Sequence, residues 1–103
     1  MKRIAIVGGG IAGLTAAYEL ARKDDPAVEA VLFEASSRLG GIVETVREGG
    51  FIIECGPDAW VTEKPWPREL SEELGLENEV MSSNDAARKT YVLIDGQLEA
   101  MPD

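Results

Sequence analysis

Three glycines spaced Gly8-x-Gly10-x-x-Gly13 separate two segments of different character. Before them, Arg3 to Val7 is a short, β-branched, nearly continuous apolar run, which suits a strand buried on both faces of a parallel sheet. After them, Ile11 to about Lys23 is rich in Ala and Leu and predicts a helix, ended by Asp24, Asp25 and Pro26. A second apolar run from Glu29 to Glu34 predicts a second strand. Strand, glycine turn, helix and strand within the first 34 residues make a βαβ unit, with a right-handed crossover expected.

The fold class is therefore α/β, and this is the opening of a Rossmann-like doubly wound nucleotide-binding fold. Gly8 permits the sharp turn, Gly10 lets backbone approach a pyrophosphate, and Gly13 lets the helix pack close to the strand. Phosphate is expected on the backbone of Gly8, Gly9 and Gly10 and at the helix start, Ile11, Ala12 and Gly13. There, unpaired N–H groups and the helix dipole favour negative charge. Glu34 lies about 20 residues beyond Gly13, where a carboxylate accepts from both ribose hydroxyls of an adenosine. A carboxylate there disfavours a 2′-phosphate, which argues against an NADP site.

Local backbone capture of phosphate matters because the formal net charge is -9. Such a surface argues against nucleic acid as a partner, since that needs clustered Lys and Arg. No histidine and one cysteine exclude a His/Cys metal site and an intramolecular disulfide, and a reducing, cytoplasmic setting is the default. Lys2 and Arg3 before an apolar run imitate a secretory signal, but Gly8 to Gly10 interrupt it and Glu19 and Arg22 continue the helix. No stretch approaches the roughly 20 apolar residues that span a bilayer.

Beyond the second strand, Ala35 to Gly41 is a glycine-bearing loop. Ile42 to Val46 and Phe51 to Glu54 predict a hairpin joined through Gly49-Gly50, and Gly56-Pro57-Asp58 predicts a turn. Pro65 to Leu74 predicts a helix with Gly75 just past its end. Tyr91 to Ile94 and Leu98 to Met101 around Asp95-Gly96 predict a second hairpin. Only two parallel strands of a fold that needs four or more are supplied, together with two strand pairs. The chain reads as a fragment whose uncovered edges favour self-association.

The segment Glu34-Ala35-Ser-Ser-Arg38-Leu-Gly40-Gly41 resembles the E-x-x-x-R-x-G-G element of the amine oxidase, phytoene desaturase and protoporphyrinogen oxidase superfamily. The resemblance implies an FAD site that continues past the ribose, with Arg38 steadying the diphosphate side and Gly40-Gly41 approaching the cofactor. It also implies a GR2-type FAD-binding fold with added β-hairpins. Many superfamily members carry a basic residue after the double glycine, where this chain has Ile42. Gly50-Phe51-Ile-Ile-Glu54-Cys-Gly56-Pro57-Asp58-Ala-Trp60 looks like a stretch of protoporphyrinogen oxidases and their coproporphyrinogen-oxidising relatives. Glu73 to Leu76, Arg88 to Leu93 and Gly96 to Pro102 continue the similarity in order, so it covers essentially the whole chain.

That resemblance implies oxidation of a porphyrinogen to the porphyrin, with hydride passing to the flavin and O₂ reoxidising it. Residues 1–60 would hold the βαβ core and FAD motifs, and residues 61–103 would begin a substrate-domain excursion. Gly56, Pro57 and Asp58 would lie on the flavin side, with Asp58 read as a turn former rather than a catalytic base. No catalytic residue is assigned. Some relatives pair a substrate propionate with a basic residue before the tyrosine; here that place is Thr90, with Arg88 and Lys89 upstream. Trp60, Trp66 and Cys55 are expected to be packing residues. Alternatives are another amine oxidase or carotenoid desaturase of the superfamily, an NAD-dependent dehydrogenase, or a dinucleotide-binding module without catalysis. The expected location is cytoplasmic, with peripheral membrane contact open and no membrane-spanning segment.

Overall fold

A computed structural model describes residues 1–102. Two compact units divide the chain, Met1–Ala59 and the part from Trp60 onward.

In the first unit, β1 (Lys2–Val7) and β2 (Val28–Phe33) are parallel, paired from Lys2 with Val28 to Val7 with Phe33. Parallel neighbours need a crossover. It is α1 (Ile11–Arg22), which packs on both strands. The ladder continues at each end, with Lys2 N–H donating to the Ala27 carbonyl at 2.6 Å and Gly8 N–H to that of Phe33 at 2.8 Å. This second bond carries the pairing right up to the glycine turn. Arg3 and Glu29, opposite each other in register, form an ion pair at 2.6 Å. Both side chains face water, so the pair adds little stability.

The antiparallel hairpin of β3 (Thr45–Glu48) and β4 (Phe51–Glu54) completes this unit, turning at Gly49-Gly50. Its first strand begins at Thr45, where the sequence predicted Ile42. The cause is local: the Arg38 guanidinium takes up the carbonyls of Leu39, Gly41 and Val43, so the segment before Thr45 curls around that side chain rather than pairing. Cys55 N–H donating to the Glu44 carbonyl at 2.8 Å closes the open end of the hairpin.

The second unit holds α2 (Trp66–Glu73) and the hairpin of β5 (Tyr91–Ile94) with β6 (Gln97–Ala100). Pro65 starts α2 and Gly75 ends it. Leu76 N–H donates to the Ser71 carbonyl and Gly75 N–H to that of Glu72, the paired bonds of a Schellman cap. Two short 3₁₀ turns follow, Glu77–Glu79 and Asp85–Ala87. Strand β6 starts one residue before the predicted Leu98. A two-residue turn with positive φ at both Asp95 and Gly96 sets Ile94 directly opposite Gln97.

No hydrophobic side chain among the described residues is fully buried. Trp60 and Trp66 are exposed rather than packed, and Lys64 Nζ sits 5.6 Å from the Trp66 ring centre. Cys55 is also exposed, against expectation, with its thiol 3.9 Å from the Ile53 carbonyl. These three side chains find no core to enter within their own units.

Candidate cofactor-binding site

The glycine turn lies between β1 and α1. Gly8 has φ +104°, a conformation that a side chain would strain, and the space beside it is open. A Cβ on Gly13 would run into the Gly8 carbonyl oxygen, so helix and turn can approach this closely only without one. Gly10 caps α1 with no side-chain hydrogen bond, and its first turn carries no acidic residue. The N–H groups of Ile11, Ala12 and Gly13 thus open the helix with neither a capping side-chain oxygen nor an acidic residue in the helix's own first turn.

Glu34 follows β2 immediately and its carboxylate reaches back to the turn. Oε2 accepts from the Gly9 N–H at 2.8 Å and Oε1 from the Ser36 N–H at 3.1 Å. Hydrogen bonds from the Ser36 and Gly9 backbone hold this carboxyl below its ordinary pKa against a smaller opposing effect of desolvation. It is therefore ionised at neutral pH. Each oxygen can accept more than one hydrogen bond, so the carboxylate can brace the turn and still receive ribose hydroxyls.

The double-glycine loop forms a second layer against the first. Gly40 N–H donates to the Gly9 carbonyl at 2.8 Å, and Gly10 and Gly40 form a parallel bridge. A Cβ on Gly41 would stand 3.1 Å from the Gly10 Cα. Ala35 lies between Glu34 and Ser36, and its backbone adds a smaller lowering of the Glu34 pKa. Arg38 turns onto its own loop, donating to the carbonyls of Leu39 at 3.1 Å, Val43 at 3.2 Å and Gly41 at 2.5 Å. Its guanidinium also pairs with Glu44 at 3.5 Å.

Gly56 lies under this loop, where a Cβ would collide with the Ile42 carbonyl oxygen. Pro57 and Asp58 follow in an exposed, irregular segment. Gly8 to Gly13, Glu34, Ala35, Gly40 and Gly41 thus adjoin on one backbone surface, with Gly56 attached through Ile42. Sequence reasoning missed Ser36 and Glu44. Ser36 Oγ donates to the Arg38 carbonyl and accepts from the Arg38 N–H, a local serine turn that its position in a loop could have suggested. Glu44 had no comparable signal. Among the described residues no cluster of His, Cys, Asp and Glu is fit for a metal ion. No helix of the described residues is long and apolar enough to cross a membrane.

A glycine-lined backbone surface, an uncapped helix start and an ionised carboxylate one strand away fit the diphosphate and ribose of a dinucleotide. The sequence matches the family described as flavin containing amine oxidoreductase over residues 11–102. The chain belongs to that family. Its implied cofactor is FAD, whose diphosphate and ribose suit the glycine backbone, the uncapped helix start and the Glu34 carboxylate. Coproporphyrinogen III oxidase of Bacillus subtilis is 42% identical over 98% of this chain and 22% of its own length. Human protoporphyrinogen oxidase is 36% identical over the same shares of the two chains. The crystal structure of a provisionally named protoporphyrinogen oxidase from Exiguobacterium superposes with a TM-score of 0.77 at 43% identity, covering 96% of this chain and 21% of that one. The chain thus spans about a fifth of the length of the relatives it matches.

Proposed function

We propose that this chain is the N-terminal, FAD-binding part of an oxygen-dependent porphyrinogen oxidase of haem biosynthesis, acting on coproporphyrinogen III or protoporphyrinogen IX. The observation that carries the reading is the double backbone layer in which Gly9 bonds Gly40 on one side and Glu34 on the other. Diphosphate would lie on Gly8 to Gly10 and the N–H groups of Ile11, Ala12 and Gly13. Glu34 would take the adenosine ribose, and Gly40-Gly41 would flank the cofactor. Gly56, Pro57 and Asp58 would continue toward the flavin, which in such an oxidase accepts hydride from substrate carbon and is reoxidised by O₂. The protein's part is to bind and orient the group. Residues 1–60 serve this purpose in a Rossmann-like, GR2-type domain, and residues 61–103 begin the excursion toward a substrate domain. The 103-residue chain alone holds cofactor groups without turning substrate over. We assign the full-length protein to the cytoplasm, with peripheral membrane contact compatible with the reading.

The test is flavin content and turnover of the full-length protein. Stoichiometric FAD, with oxidation of a porphyrinogen and no oxidation of amines, supports the reading. Parallel assays on the two porphyrinogens choose between them. A protein that ignores FAD and binds NAD overturns it.

A further inference from the structure

We propose that Arg38 is a positioning residue for the cofactor loop, acting together with Glu44, rather than a cation that touches the diphosphate. The inference rests on the FAD reading above. Both terminal nitrogens of the guanidinium are engaged: Nη1 with the carbonyls of Leu39 and Val43, Nη2 with that of Gly41 and the Glu44 carboxylate. Ser36 holds the backbone of the same residue from both sides, at 2.8 and 3.2 Å.

These bonds fix a conformation the loop would not hold unaided. Gly40 and Gly41 have φ of +111° and +59°, and several carbonyls point inward toward one centre. Without a donor there, inward carbonyls repel one another and lose hydrogen bonds. A planar guanidinium supplies divergent donors in one fixed fork, whereas an ammonium is a point charge on a flexible stem. Glu44 balances the charge and orients the fork. The consequence reaches the cofactor side because the same loop is bonded to the glycine turn, through the Gly40 N–H on the Gly9 carbonyl and the close approach of Gly41 to Gly10. Arg38 thereby fixes how the double-glycine loop seats against the glycine turn that would receive the cofactor.

The two roles separate experimentally. FAD affinity of the full-length protein is measured by flavin fluorescence at low and high salt for the wild type, R38K, R38Q and E44Q. Amide hydrogen exchange at Gly40 and Val43, both hydrogen-bonded in this loop, is followed without FAD. A positioning role predicts that R38K and R38Q weaken FAD equally, by roughly tenfold or more, with the salt dependence unchanged. It also predicts faster exchange at both amides, and a smaller loss of the same kind in E44Q. If R38K keeps wild-type affinity while R38Q loses it and flattens the salt dependence, Arg38 is a diphosphate contact and the proposal fails. It also fails if both variants bind like wild type. R38K carries the test should R38Q not fold. A wild-type protein that does not bind FAD would instead sink the functional reading on which the inference stands.

Discussion

The Gly9 N–H donates to the Glu34 carboxylate at 2.8 Å, tying the glycine turn to the residue that follows β2. Glu34 is therefore both a ribose candidate and a brace for the glycine turn. Its folded-state pKa is lowered by the Ser36 and Gly9 backbone bonds. The stability it contributes is fully present above the ordinary glutamate pKa of about 4.3 and is lost as pH falls through the lower folded value. Because the carboxylate is only partly buried, solvent screens it and that contribution is small. E34Q keeps one accepting oxygen but presents an amide where the other bond was made. We expect FAD and ADP to weaken alike, by about tenfold or more, and the acid limb of the stability profile to flatten. Melting temperatures between neutral and acid pH, with ligand titrations at pH 7, check both. An E34Q protein with unchanged ADP affinity would remove Glu34 from the site.

Gly8 and Gly13 need glycine for different reasons, and the difference is measurable. At Gly8 a side chain has space but an unfavourable φ, so G8A should cost about 1–2 kcal/mol. At Gly13 the added Cβ enters the Gly8 carbonyl, and backbone must move. We expect about 3 kcal/mol or more for G13A, together with the larger loss of FAD binding, since α1 is pushed away from the glycine turn proposed to hold phosphate. Equilibrium denaturation of both variants in the full-length protein decides the order. Equal losses would mean that the helix can shift without strain.

Gly56 poses the same question beneath the second layer. A Cβ there meets the Ile42 carbonyl, a backbone atom that cannot rotate away. G56A should destabilise by roughly 1–3 kcal/mol and speed amide exchange at Cys55, whose N–H bonds the Glu44 carbonyl. Weakened FAD binding in the same variant would show that the hairpin supports the double-glycine loop. Wild-type stability and exchange would show that the approach can be relaxed cheaply.

The legible parts of this architecture are those fixed by local sequence. Periodicity gave β1, α1 and β2, because an apolar run and an Ala/Leu-rich stretch differ in period whatever surrounds them. Turn chemistry gave both hairpins and the end of α2, since Gly49-Gly50, Asp95-Gly96 and Gly75 accept a backbone that other residues avoid. The glycine spacing located the turn between β1 and α1, and the distance to Glu34 picked out the carboxylate that bonds it. What stayed hidden depends on contacts between segments. Nothing local says that Arg38 folds back onto carbonyls of its own loop, that this curls residues 42–44 out of β3, or that Gly56 rests against Ile42. Glu44 has meaning only once the guanidinium is seen beside it. The exposure of Trp60, Trp66 and Cys55 was hidden for another reason: residue type predicts burial only where a core exists to receive the side chain.

The 103-residue chain studied alone should associate with itself. The β1–β2 sheet has two strands, so both outer edges lack strand partners among the described residues, and unpaired edges recruit other chains. Apolar surface lies beside them, with Val7 87% and Phe33 56% exposed. Opposing this is a net charge of -9, which makes copies repel. The balance has a testable sign. Added salt screens the repulsion and leaves apolar attraction intact, so association should increase with ionic strength, the reverse of an assembly held by ion pairs. Sedimentation across a salt series, with thermal melts in parallel, is the measurement. Larger species at higher salt and a broad, concentration-dependent melt are expected. A chain that stays monomeric throughout and melts sharply would show that the βαβ unit and its hairpin suffice as a folding unit without further cover.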